Sequence, residues 1–156
     1  MKKLLGLVMV LGLVLVFSGV AMAADTNTVT VTANVVGTCR FDTATSTLGF
    51  GALDPGIGGD VNASTSVDFW CTRNASYSIS DDDGLHESGV NGNRMEHTTT
   101  SGEFIPYTFS YNPASGTGNG RTSLITLNIG GTVTFANYQN AAVGDYADTV
   151  VLSITP

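Results

Sequence analysis

Two cysteines and two histidines are the side chains of this 156-residue chain most able to do chemistry, namely Cys39, Cys71, His86 and His97. Two thiols can pair, hold a metal or stay free. A zinc site needs further ligands, and the sequence supplies none near either cysteine. In an oxidising compartment the simplest outcome is that Cys39 and Cys71 join. Each histidine has a glutamate neighbour, Glu87 or Glu96. Brought together by adjacent hairpin segments, these could grip a cation, although solvated polar positions beside turns are the simpler reading. Asp81-Asp82-Asp83-Gly84 imitates a calcium loop but lacks the alternating ligands and closing glutamate, so it reads as a solvated hairpin tip. Gly116-Thr117-Gly118-Asn119-Gly120 imitates a phosphate cradle, yet a strand pattern follows it rather than a helix N-terminus.

No G-x-S-x-G elbow occurs after the leader region, and nothing marks a serine as activated by a histidine and an acid. Asn62-Ala63-Ser64 and Asn74-Ala75-Ser76 match the glycosylation sequon, a frequent chance pattern that matters only in a eukaryotic secretory route. The residues therefore argue against an enzyme, and they call for no cofactor and no metal.

The N-terminus sets the compartment. Lys2 and Lys3 precede an apolar run from Leu4 to Phe17, and Ser18 to Ala23 supplies the small residues that a signal peptidase reads. Residues 1–23 are expected to be a signal peptide, cleaved after Ala23. The apolar run is short for a span of about 20 residues, so no membrane insertion is expected after cleavage. Export brings both cysteines into an oxidising space.

Beyond residue 23 the chain holds four arginines, no lysine and thirteen acids, a formal charge of −9. Such a chain repels phosphate backbones, which excludes nucleic acid and anionic membrane surfaces as natural partners.

The elements that must position these residues are strands. Residues 24–156 are Thr-, Ser-, Val- and Gly-rich, with short alternating runs and no helical periodicity. The expected strands are Thr26–Val35, Thr47–Phe50, Ser66–Thr72, Ala75–Ser80, Arg94–Thr98, Ile105–Tyr111, Ser123–Ile129, Thr132–Phe135 and Asp148–Thr155. Asp83-Gly84, Asn91-Gly92, Asn119-Gly120 and Gly130-Gly131 are expected to make tight turns. Residues 56–59 and 113–120 read as longer flexible loops. Phe69, Trp70, Tyr77, Tyr107, Phe109 and Tyr111 are the bulk of the expected core. With Cys71 buried, the adjacent Trp70 must face solvent or a neighbour. An immunoglobulin-like antiparallel β-sandwich with one disulfide is the fold this pattern implies.

The first expected strand has an unusual position. Val29, Val31, Ala33 and Val35 share one face, and Thr28, Thr30, Thr32 and Asn34 the other. It either begins its own sandwich or is donated to another molecule whose sandwich lacks a strand.

Several motifs fall in a familiar order. Cys39 comes after the alternating strand, and Leu48-Gly49-Phe50-Gly51-Ala52-Leu53-Asp54-Pro55 makes a Phe-Gly turn. Cys71 leads to Tyr77-Ser78-Ile79, and Arg94-Met95 precedes Ile105-Pro106-Tyr107-Thr108-Phe109-Ser110-Tyr111. The run from Gly144-Asp145-Tyr146 to Val150-Val151-Leu152-Ser153-Ile154 is the most specific of the set. Together they resemble the spore coat U family, whose members include subunits of archaic chaperone–usher pili.

The resemblance implies an incomplete pilin-type sandwich over residues 37–156, preceded by a donor strand over 24–36. It implies a Cys39–Cys71 disulfide, and Val29, Val31, Ala33 and Val35 as the donated side chains. The partners it implies are neighbouring subunits of a homopolymer, a periplasmic chaperone and an outer-membrane usher. The protein would pass through the periplasm to an extracellular fimbrium supporting attachment and biofilm. A spore or surface coat protein and a single-domain glycan-binding adhesin are the other roles compatible with it. Asn119-Gly120-Arg121 and Ala136-Asn137-Tyr138-Gln139-Asn140 match no part of the pattern.

Overall fold

The structure is a computed structural model that describes residues 23–89 and 92–156. The expected signal peptide lies outside these residues except for Ala23, as does Asn91 of the expected Asn91-Gly92 turn. The chain divides into two units, 1–34 and 35–156. Of the first unit, residues 23–34 carry no strand, and Val29 and Val31 are 75% and 88% exposed.

The second unit is built from three antiparallel sheets. Strands β1 (Cys39–Phe41), β2 (Val61–Cys71), β8 (Ile125–Val133) and β6 (Thr108–Asn112) form the largest, in that order. Strands β10 (Ser153–Thr155), β3 (Ser76–Ser80) and β7 (Ser115–Thr117) form the second. Strands β5 (Phe104–Pro106), β4 (Arg94–His97) and β9 (Tyr146–Ala147) form the third, and one helical turn, α1, spans Phe135–Tyr138.

Period-two patterning explains the two long central strands. On β2 the inward positions are Val61, Ala63, Thr65, Val67, Phe69 and Cys71, and on β8 they are Ile125, Leu127, Ile129, Gly131 and Val133. The β2–β8 ladder runs from Val61 opposite Val133 to Phe69 opposite Ile125. At about 3.3 Å per residue it is roughly 30 Å long.

The core is in two parts, one toward each end of this ladder. At the disulfide end, Val67, Phe69, Leu127 and Ile129 meet Tyr77 and Ile79 of the second sheet. At the opposite end, Val133 meets Ile105, Tyr107 and Tyr138. Phe109 is only half-buried and touches both clusters. This is the immunoglobulin-like sandwich the strand pattern implies.

Cys39 and Cys71 are joined, and they sit directly opposite each other on β1 and β2 with Cα atoms 4.1 Å apart. The bridge closes a loop of 32 residues, worth about 3–4 kcal/mol through the chain entropy it removes from the unfolded state. Trp70 points to the other face from Cys71 and is half-buried there.

Several expected elements differ. Gly130-Gly131 is not a turn: both residues lie inside β8, paired with Ser64 and Ala63 on one side and Ser110 and Phe109 on the other. A Cβ on Gly131 would meet Thr108 O at 2.7 Å, Phe50 Cζ at 3.0 Å and Leu48 Cδ2 at 3.1 Å. The glycine is there because other chain segments approach it closely. The single expected strand Ile105–Tyr111 breaks at Tyr107, where the chain passes from β4 as partner to β8. Pro106, which has no N–H to donate, ends the first half. The expected loop 113–120 contains β7, paired with β3. Thr26–Val35, Thr47–Phe50 and residues 148–152 carry no strand.

Replacing Gly131 by Val is expected to destabilise the fold by about 1–3 kcal/mol through overpacking. A lower urea midpoint with an unchanged denaturant slope is the measurement.

Candidate functional site

Two of the segments that carry no strand, Thr47–Phe50 and residues 148–152, line one cavity. After β1 the chain leaves β2 at Asp42, whose N–H donates to Asp68 O at 2.8 Å. From there to Phe50 it forms no ladder, and the side chains of Leu48 and Phe50 turn inward. Along 146–154 the even-numbered residues are half-buried and the odd ones exposed, so Val150 and Leu152 also face in.

Between these walls lies an open groove made of two adjoining hollows of about 270 and 260 Å³ that share Ser46, Thr149, Val150 and Leu152. Its floor includes Val67, Thr65, Ile129, Phe109 and Tyr107. It therefore runs along the seam between the two core clusters, from the disulfide end toward Tyr146.

One wall is fastened from behind by acids. Asp82 Oδ1 accepts hydrogen bonds from Val151 N at 2.8 Å and Gly84 N at 3.1 Å. Leu85 N donates to Asp148 Oδ1 at 3.0 Å and to Thr149 O at 3.2 Å. Asp83 and Gly84 reach this position with left-handed φ values of 58° and 87°. The loop expected to be a solvated tip is thus a buttress for 148–151. Amide groups of an extended chain alternate between its two edges. Residues 149 and 151 bond to the buttress, so Val150 and Leu152 direct theirs toward the groove. Among the described residues no backbone group meets them.

Tyr107 and Tyr111 lock the acids in place. Tyr107 donates to Asp148 Oδ2 at 2.7 Å, and Tyr111 donates to Asp81 Oδ1 at 3.1 Å. Burial, then the carboxylate that accepts the proton's hydrogen bond, pushes each phenol above its ordinary value of 10.0.

The residues singled out in the sequence have varied surroundings. Val29, Val31, Ala33 and Val35 are exposed, Val35 at 80%. His97 is buried rather than solvated. Its Nδ1 accepts from the Thr100 N–H at 3.1 Å, and its ring packs edge-on against Tyr146. His86 lies 3.4 Å from a Glu96 oxygen. Glu96 itself is held below its ordinary value, chiefly by the Gly102 N–H. Among the described residues no three His, Cys, Asp or Glu side chains are grouped to hold a metal. No described helix is long and apolar enough to cross a membrane. Sequence reasoning missed the groove floor and the buttress. The alternation of Leu48 with Phe50 and of Val150 with Leu152 was visible, but not that each lacks a partner.

Compared with known families, residues 25–153 match the Spore Coat Protein U domain. The chain belongs to that family. The match takes in the alternating N-terminal segment, the whole groove and both cysteines of the Spore Coat Protein U domain. Among solved structures, one similar chain is from the pre-assembly complex of the chaperone CsuC and the tip adhesion subunit CsuE, from archaic chaperone–usher Csu pili of Acinetobacter baumannii. It is 18% identical, with a TM-score of 0.49, over 77% of this chain and 40% of that one. A second is from a chaperone–tip adhesin complex of CFA/I fimbriae biogenesis, 14% identical with a TM-score of 0.46, over 77% of this chain and 41% of that one. This chain thus spans about two-fifths of the length of either. Among curated proteins no match is found.

The buttress of this Spore Coat Protein U domain should be alkali-sensitive. A phenol whose pKa is raised by folding contributes stability that is complete below its ordinary value and is lost as pH climbs past it. Unfolding free energy should therefore fall above pH 10. Tyr107→Phe is expected to cost about 1–2 kcal/mol at neutral pH, because Asp148 loses its donor. It should also flatten the alkaline fall, as read from urea unfolding at stepped pH.

Proposed function

We propose that this protein is a structural subunit of a secreted chaperone–usher pilus, and that successive copies are joined by strand donation. The observation that carries the reading is an open apolar groove between two unpaired edges, in a chain that also carries an exposed period-two ribbon of matching length. Residues 26–35 extend about 33 Å at roughly 3.3 Å per residue, against a central ladder of about 30 Å. A foreign strand laid in the groove would bond to the free edge at Val150 and Leu152 and seat its alternate side chains over Phe109 and Ile129. The two core clusters would then become one.

In this reading residues 1–23 are a signal peptide, 24–36 the donor strand and 37–156 the acceptor body. Val29, Val31, Ala33 and Val35 enter the groove of the next copy. Three valines leaving water contribute about 1.5–3 kcal/mol each, in addition to the backbone ladder. A solitary body would expose its groove, so a periplasmic chaperone holds it until an outer-membrane usher lets the neighbour's strand in. The mature fibre is extracellular and serves attachment and biofilm formation. No step of this function requires catalysis, a metal or a cofactor.

Deleting residues 25–36, or replacing Val31 by Asp, is expected to abolish multimers that survive SDS without heating. Intact multimers from the deleted chain would sink the proposal. A synthetic peptide of residues 25–36, added to that chain, should bind it and raise its melting temperature.

A further inference from the structure

The second unit is polar in charge along the axis of its groove. Only four cationic side chains occur after residue 3, and three of them, Arg40, Arg73 and Arg121, gather at the disulfide end. Arg40 is the cross-strand partner of Trp70. Arg121 lies over the Trp70 ring, 5.6 Å from its centre. Arg73 stands beside Gly120, where a Cβ would come within 3.7 Å of its own. All three arginines are exposed, and Leu124, next to Ile125 on β8, is 49% exposed there as well. Asp42 and Asp68 occupy the next rung, with Asp68 engaged by the Thr126 hydroxyl at 2.7 Å.

The other end has the opposite sign. Glu96, Glu103 and Asp145 surround the turn at residues 98–102, tied together by His97 N donating to Glu103 O and Thr98 N donating to Asp145 O. Val143, close by through its hydrogen bond to His97, is 99% exposed. The one arginine at this end, Arg94, is turned onto the Phe104 ring at 4.0 Å and the His86 carbonyl.

We propose that these two poles are the two halves of a body-to-body interface between successive copies of this chain: the arginine–Trp70 pole of one copy docks on the acidic Val143 pole of the next. The inference rests on strand donation, because that is what brings the poles together. The donated ribbon leaves the body beside the arginine pole, where Thr38 N donates to Thr72 Oγ1 and Gly37 lies against Ala75 and Pro156. Only Val36 and Gly37 separate Val35 from Thr38, a reach of about 11 Å at most. The two bodies are thereby held at high effective concentration. Seating Val35 at the Tyr146 end of the groove sets cations against anions, whereas the reverse direction would set arginines against arginines. Unlike surfaces meeting head to tail are not self-complementary, and they continue as a fibre wherever the rotation between copies does not close a ring.

The test uses fibres of the full chain assembled with its chaperone and usher. The triple variant Arg40→Glu, Arg73→Glu, Arg121→Glu should keep the SDS-resistant ladder while losing the regular angle between adjacent subunits in electron micrographs. Adding Glu103→Arg and Asp145→Arg should restore that angle, and those two changes alone should disturb it. Raising salt should loosen the parent fibre's angle without shortening the ladder. Unchanged subunit angles in both charge-reversed fibres would overturn the interface, as would a triple variant that loses only retention on heparin beads. Loss of the ladder after deletion of residues 25–36 reads out strand donation separately, so each idea fails by its own result.

Discussion

The constraint on which the rest of the structure depends is an unpaired edge. A sheet edge with apolar side chains beneath it is unstable in water, because its amides and its carbon surface both want a partner. Here the edge at Val150 and Leu152 and the unpaired stretch around Leu48 and Phe50 line the same groove. Everything around the groove is arranged to hold it open. Asp82 and Asp148 fasten one wall from outside, Gly131 lets Leu48 and Phe50 settle as the other, and the floor is shared by two clusters that meet only at Phe109. A sandwich that closed on itself would need none of these devices.

The same constraint accounts for the acidic loop. Carboxylates beside an apolar wall are costly unless hydrogen-bonded. Asp81 and Asp148 take phenol donors, and Asp82 takes backbone amides. These bonds hold the wall extended, so a strand donated as proposed would meet a template that is already ordered and would lose less entropy in joining it.

Much of this was legible in the sequence. Strand patterns identified β2, β3, β4 and the first half of β8, whereas β1 at Cys39–Phe41 was not among the expected strands. What the residues hid is which strands lack partners. Leu48, Phe50, Val150 and Leu152 alternate as any half-buried strand does, and pairing depends on what the rest of the chain leaves free. Gly130-Gly131 read as a turn because paired glycines usually turn. Only the close approach of Phe50 and Leu48 explains glycines inside a central strand. Tyr138 went unnoticed in a segment with no recognisable pattern, yet it is 2% exposed and its hydroxyl donates to Gly59 O at 2.8 Å.

The disulfide has a mechanical meaning as well as a thermodynamic one. Strand β1 is three residues long and sits at the margin of its sheet. A pull on the polypeptide ahead of Thr38 would peel so short a strand away rung by rung. The covalent link at Cys39 instead diverts that tension into the end of β2, whose nine-rung ladder with β8 is loaded lengthwise. Bonds sheared together resist far more force than bonds unzipped in turn. The load path through the body thus bypasses this short marginal strand.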